Sequence, residues 1–124
     1  MTNEVARDED WSYSVDEDGM VVPSGPPGTT ENARLGLETL FIPVGNLGTA
    51  EDFLLQWRAM RAEHGSDYAL GTPSGRVERV DDDWVEVQDL YGQFQNFRMR
   101  ATEFERALVC LVEFMKTPEF EESR

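Results

Sequence analysis

The fold is decided by residues 76–115, which read RVERVDDDWVEVQDLYGQFQNFRMRATEFERALVCLVEFM. In the first part of this stretch, β-prone residues such as Val85, Val87 and Met99 alternate with polar ones. This period of two is typical of strands that bury one face. The pattern predicts three strands, at 76–80, 84–90 and 93–100. Because the connections between them are short, we expect an antiparallel meander.

The last part of the stretch has the period of an amphipathic helix. Its apolar residues recur at helical spacing, at Phe104, Leu108, Leu111, Val112 and Met115. Thr102 followed by Glu105 has the spacing of a capping box, and Pro118 ends the run. Val109, Cys110 and Phe114 lie off the main stripe. The helix is therefore either buried on several sides or offers an interface.

A second helix is predicted upstream, over residues 49–64. Thr49 is a suitable cap, acids follow it in the first turn, and Gly65 provides the stop. Its apolar stripe is expected to cover a sheet, and consists of Phe53, Leu54, Trp57 and Met60. A short strand at 68–70 and a turn at 71–75 follow this helix.

The N-terminal third is predicted to contain a hairpin and a loop. Trp11, Tyr13 and Val15 alternate with serines, residues 16–19 form a turn, and residues 20–22 return antiparallel. Prolines and glycines predict a loop over 23–34. Residues 35–44 fit either a buried strand or a short helix, and we interpret them as a strand.

Together these elements predict an α+β domain in which an antiparallel β-sheet of about five to six strands is packed by two main α-helices. The chain of 124 residues, 40% of them hydrophobic, is long enough to bury a core without disulfides or metals. We expect a flexible acidic N-terminus at 1–10, a single domain at 11–117 and a C-terminal tail at 118–124.

Charge is the strongest functional signal. The chain has 25 Asp and Glu residues against 11 Lys and Arg, for a formal net charge of -14. Such a field disfavours binding to nucleic acid or to anionic membranes, and it attracts a basic protein. Acidic charge that only maintains solubility is the alternative interpretation. No stretch resembles a signal peptide or a membrane helix, so we expect a cytoplasmic protein.

The residues suited to catalysis do not form a recognisable site in the sequence. Cys110 is the only cysteine and falls in mid-helix, while the only histidine, His64, falls at a helix C-terminus where it complements the dipole. The acidic clusters lack the spacing of a calcium loop, and no phosphate-binding loop is present. We therefore expect no metal, no cofactor and no enzymatic activity.

Acidic clusters beside aromatic residues favour a protein interface, in which charges steer a partner and aromatic side chains anchor it. Core packing is the alternative for Trp11 and Trp84. The candidate partner-binding residues are Asp10, Trp11, Tyr13, Asp16, Glu17, Asp18, Asp81, Asp82, Asp83, Trp84 and Tyr91.

The stretch from Asp83-Trp84-Val85-Glu86-Val87 through Leu90-Tyr91 and Phe97-Arg98-Met99 to residues 102–108 resembles the closing strand-strand-helix unit of small acidic immunity proteins. Such proteins are encoded beside bacterial polymorphic and contact-dependent toxins. The resemblance covers about the last third of the chain. It implies a cytoplasmic protein that binds and neutralises a cognate, basic toxin domain.

Stoichiometric inhibition of a toxin is thus the leading hypothesis. An acidic dimeric chaperone for a secreted protein is the alternative, and it predicts a stable homodimer. An enzyme that uses scattered carboxylates is the third hypothesis, which would require a cleft with paired acids.

Overall fold

The structure is a computed structural model that describes residues 10–123. Its strands are β1 (Ser12–Val15), β2 (Val21–Ser24), β3 (Ala69–Thr72), β4 (Gly75–Arg79), β5 (Trp84–Asp89) and β6 (Phe97–Arg100). Its helices are α1 (Glu31–Phe41), α2 (Leu47–His64), α3 (Ala101–Met115) and α4 (Pro118–Glu122). The predicted α+β class is confirmed. Of the N-terminus that we predicted to be flexible, residues 1–9 lie outside the described residues.

The main sheet is an antiparallel meander in the order β3-β4-β5-β6. Val77 pairs with Val87 and Val85 pairs with Met99, and these four side chains are buried on the same face. The predicted meander is confirmed, and the predicted strand at 68–70 becomes its edge strand β3. The last strand begins at Phe97 instead of the predicted residue 93, because a turn that includes Gly92 at a φ of 75° precedes it.

The β1–β2 hairpin forms a separate two-stranded sheet, and its turn lies where the sequence predicted it. Gly19 adopts a φ of 82°, a conformation that favours glycine. The hairpin is tied to α3 by the Tyr13 hydroxyl, which donates to the Ala107 carbonyl at 2.7 Å.

The strand predicted at 35–44 is wrong, because residues 31–41 form helix α1. The Thr30 hydroxyl accepts from the Ala33 N–H at 3.1 Å and caps the helix. Arg34 forms ion pairs of 2.8 Å with Glu31 and with Glu38, on either side of it along the helix. Helix α1 also takes up the end of the loop that we predicted over 23–34.

The other two long helices are confirmed, with corrections to their starts. Helix α2 begins at Leu47 because Asn46, and not Thr49, caps it, with the Thr49 N–H 2.9 Å from Asn46 Oδ1. Helix α3 follows β6 directly, so its N-cap is Arg100, whose N–H lies 3.3 Å from Glu103 Oε1. The predicted Thr102 and Glu105 capping box is therefore wrong.

One hydrophobic core joins the helices to both sheets. At its centre the ring of Trp57 in α2 lies 4.8 Å from that of Tyr68 and 5.0 Å from that of Phe104 in α3. The residues predicted as a C-terminal tail include α4, whose Phe120 is buried in this core. Gly36 in α1 lies where a Cβ would collide with the ring of Phe97, which explains a glycine inside that helix.

Candidate functional site

The predicted partner-binding residues lie in four places on the fold. They are Asp10, Trp11 and Tyr13 beside α3; Asp16, Glu17 and Asp18 in the β1–β2 turn; Asp81, Asp82, Asp83 and Trp84 in and after the β4–β5 turn; and Tyr91 in the loop after β5. The two acidic clusters, at 16–18 and 81–83, thus belong to turns of two different sheets.

The first group is engaged with α3. Asp10 accepts two hydrogen bonds from Arg106, at 2.9 Å from Nε and 2.7 Å from Nη2, and this ion pair raises the pKa of Arg106. Trp11 is 6% exposed and belongs to the core, as in the core-packing alternative for this residue. Tyr13 is half-buried, and its burial raises the pKa of its phenol well above the usual value.

The β1–β2 turn is closed by its own first residue. Asp16 Oδ1 accepts the backbone N–H groups of Asp18 and Met20, both at 2.9 Å. This arrangement is an Asx turn, in which a side-chain carboxylate accepts backbone N–H groups of the residues that follow it. Glu17 and Asp18 are exposed, so their charges face solvent.

The β4–β5 turn is closed in the same way and is also held from below. Asp81 Oδ1 accepts the N–H groups of Asp83 and Trp84, at 2.8 and 2.9 Å. Beneath the turn, Arg79 is 5% exposed and donates from Nη1 to the carbonyls of Asp81 and Asp82, at 3.1 and 2.9 Å. A buried guanidinium thus fixes this turn to the core.

Two predicted aromatic anchors are accessible. Trp84 is 37% exposed, and the guanidinium of Arg100 lies 4.8 Å from its ring centroid. Tyr91 is 70% exposed in the β5–β6 loop.

Desolvation of Asp89 opposes ionisation, but hydrogen bonds from the N–H groups of Gln93, Tyr91 and Gly92 outweigh it and lower the pKa of this carboxyl.

An apolar groove of about 410 Å³ lies beside the β1–β2 turn. Its walls come from the hairpin, the end of α1, the C-terminal half of α3, and α4. The apolar lining side chains include Met20, Phe41, Ile42, Val44, Leu111, Met115 and Phe120, together with the ring of Tyr13. Met20 is 42% and Ile42 is 47% exposed, so two large apolar side chains face solvent at this groove.

The rim of this groove is acidic. Glu38 lines it directly. Gly19 and Met20 line it as well, and they directly follow the acidic run of the turn at 16–18. Ser123 lines the far side, next to the exposed Glu121 and Glu122. The groove therefore combines an apolar floor with acidic residues from three separate segments, of which the turn and the C-terminal end carry exposed charges, while Glu38 is paired with Arg34.

The sequence analysis named Tyr13 and the acidic turn among its candidate residues, but not Met20, Ile42 and Phe120, which line the same groove as Tyr13. Met20 was assigned to a returning strand, and Ile42 to the strand that proved to be α1. The signal in the sequence was the helical spacing of Leu37, Leu40 and Phe41. If these residues had been interpreted as a helix, Ile42 would not have been assigned to a buried strand.

The only cysteine and the only histidine lie on helices, outside these turns. Cys110 is half-buried, and desolvation raises the pKa of its thiol. His64 is exposed at the end of α2, where its Nε2 lies 3.6 Å from Glu63. Between residues 10 and 123, no group of three or more His, Cys, Asp and Glu side chains is arranged to hold a metal ion.

The helices within the described part of the chain are too short or too polar to cross a membrane. Comparison with protein-family models, curated proteins and solved structures finds no match for this chain.

Proposed function

We propose that this protein binds a basic protein partner stoichiometrically and neutralises it, as an immunity protein neutralises its cognate toxin in the bacterial cytoplasm. The observation that carries the proposal is the acid-rimmed apolar groove between the β1–β2 hairpin, α1, α3 and α4. Its role is recognition and not catalysis.

The floor of the groove supplies affinity. A leucine- or phenylalanine-sized side chain buried there would contribute about 1.5–3 kcal/mol. Met20 and Ile42 gain as well, because a partner that covers them removes exposed apolar surface from water. The walls are core residues such as Leu111 and Phe120, so the floor is already ordered before binding.

The acidic residues around the groove attract a basic partner and select the segment that binds. A chain with a net charge of -14 attracts a basic protein over long range, and carboxylates around an apolar pocket select a segment in which Lys or Arg flanks an apolar residue. Glu17 and Asp18 are exposed and form no part of the ladder between β1 and β2, so they remain available to such a partner.

The test begins with affinity purification of the tagged full chain from its native cells, in low and then raised salt. The proposal expects one basic protein at equal stoichiometry, whose association rate with the purified chain falls as salt rises. The double variant Met20→Asp/Ile42→Asp should weaken binding of that partner at least about thirtyfold. Leu90→Asp, at a 50% exposed position in the β5–β6 loop, is the matched control and should bind normally.

Neutralisation is tested by co-expression with the identified partner. The unaltered chain should relieve the growth arrest that the partner causes, and the groove variant should not. Equal protection by both chains, binding that survives the groove variant, or a partner without basic character would each refute the proposal.

The dimeric chaperone keeps one observation in its favour. A second groove of about 300 Å³ lies between α2 and α3. Four apolar residues line it, Leu54, Leu55, Val109 and Val112, together with four charged ones, Glu51, Arg58, Glu113 and Lys116. If it joins two copies of the chain, light scattering after gel filtration will show a dimer that Leu55→Asp dissociates. A monomer at all concentrations would eliminate this candidate.

A further inference from the structure

A cluster of arginines lies on the side of the molecule where α2, β4 and α3 meet. The chain has 11 basic residues, of which Arg7 and Arg124 lie outside the described range. Four of the remaining nine, Arg58, Arg61, Arg79 and Arg106, line one cavity of about 280 Å³. In a protein with a net charge of -14, this concentration of positive charge requires an explanation.

Arg79 contributes a buried charge that no carboxylate compensates through a hydrogen bond. Its Nε donates to the Tyr68 hydroxyl at 2.9 Å, and its Nη1 donates to two backbone carbonyls. Its guanidinium also lies 5.7 Å from the ring centroid of Trp57 and 5.5 Å from that of Tyr68. All of these partners are neutral, and Nη2 has no hydrogen-bond partner within residues 10–123.

Arg61 adds a second charge without a partner. Its side chain forms no ion pair or hydrogen bond with any described residue, and it is exposed on the last turn of α2. It is therefore free to reach a ligand at the mouth of the cavity.

The other two arginines are paired but keep spare donors. Arg58 donates from Nε to Glu105 at 3.0 Å, which leaves both of its terminal nitrogens. Arg106 binds Asp10 through Nε and Nη2, which leaves Nη1. Glu105 and Asp82 line the cavity, so together with Asp10 three carboxylates face four guanidinium groups. The local balance remains positive.

The electrostatic interaction between a bound ligand and a charged side chain weakens with the distance between them. Screening at physiological salt has a length of about 8 Å, so a small anion in the cavity responds to the four arginines, and to Glu105 and Asp82 beside them, more than to carboxylates elsewhere on the surface. Guanidinium groups match phosphate oxygens with paired N–H donors. Thr102, also in the lining, lies in the first turn of the 15-residue helix α3, whose N-terminal dipole favours an anion as well.

We propose that this cavity binds a small doubly charged oxyanion, either inorganic phosphate or the phosphate group of a monoester. The site is separate from the acid-rimmed groove and does not depend on the proposed function. Its ligand is anionic, whereas the groove is expected to take a basic segment.

Isothermal titration of the full chain with inorganic phosphate and with methyl phosphate tests the proposal, at constant ionic strength set with sodium chloride. Arg61→Gln should raise the dissociation constant about tenfold, since one charge-assisted hydrogen-bond donor is lost. Arg98→Gln removes another exposed arginine, on β6 and outside the cavity, and should change the dissociation constant less than about twofold.

The two titrants distinguish the sources of the phosphate. Tighter binding of methyl phosphate assigns the cavity to a phosphorylated molecule, and tighter binding of inorganic phosphate assigns it to the free ion. Absence of phosphate binding above the chloride background, or equal weakening by Arg61→Gln and Arg98→Gln, would overturn the proposal. The folding of Arg61→Gln is checked by its unfolding midpoint, which should match that of the unaltered chain.

Discussion

The β1–β2 turn and the β4–β5 turn each carry three consecutive acidic residues, and in each the first Asp accepts two backbone N–H groups. Beneath the β4–β5 turn lies the buried guanidinium of Arg79. The β1–β2 turn has no such support and adjoins an apolar groove instead. Two similar runs of acids thus form a turn whose carbonyls are held by a buried arginine in one place and a turn whose charges face solvent in the other.

The largest difference between the turns should follow from removal of Arg79. We expect Arg79→Met to lower the free energy of unfolding by about 3 kcal/mol, because the Tyr68 hydroxyl and two turn carbonyls lose a charged donor. Urea denaturation measures this change. Arg76→Met, at an exposed position on β4, should cost less than about 0.5 kcal/mol. Equal costs for the two variants would mean that the β4–β5 turn is not fixed from below.

Removal of the closing carboxylates should instead make the two turns behave alike. Asp16→Ala and Asp81→Ala each remove the acceptor of two backbone N–H groups, and each should cost about 1 kcal/mol in urea denaturation. Asn at either position retains an acceptor oxygen and is the matched control. A cost at Asp81 far above that at Asp16 would show that this carboxylate also supports the Arg79 contacts.

The β1–β2 hairpin should respond to alkaline pH through Tyr13. Burial raises the pKa of this phenol in the folded chain above its usual value of 10.0. The contribution of the neutral phenol is therefore fully present below about pH 10 and declines as the pH rises above it. Tyr13→Phe should flatten this decline, at a cost of about 1 kcal/mol at neutral pH for the lost bond to Ala107. Unfolding midpoints from pH 8 to 11 test this, and an unchanged alkaline slope would contradict it.

The smallest effect concerns the rate at which a basic partner associates. Glu17→Gln/Asp18→Asn should lower the association rate about threefold at low salt, since these exposed charges directly precede Gly19, which lines the groove. Asp82→Asn/Asp83→Asn removes the same charge from the other turn and should change the rate less. Stopped-flow mixing with the purified partner measures both rates. Equal slowing by the two pairs would indicate that net charge alone steers the partner.

The sequence allowed correct prediction of the elements whose pattern has a single solution. Alternation at Val85, Val87 and Met99 placed the main sheet, and the helical spacing from Phe104 to Met115 placed α3. These patterns are local, and the buried face follows from the period itself.

Prediction failed where two local solutions were equally good. Residues 35–44 form an apolar run that fits a strand or a helix, and only the burial of Leu37 and Leu40 beneath the sheet selected the helix. Likewise, Thr49 and Thr102 are acceptable caps, but the chain enters α2 and α3 earlier, at Asn46 and Arg100. The start of a helix depends on where the preceding segment is held.

The sequence by itself determined the fold class, the meander, the β1–β2 turn and the acidic character of the chain, because each depends on neighbouring residues or on composition. Only the tertiary structure decided that Met20, Ile42 and Phe120 share a groove, and that arginines of α2, β4 and α3 share a cavity. Those sites join residues far apart in the chain, and such residues meet only when the packing of the whole core brings their elements together.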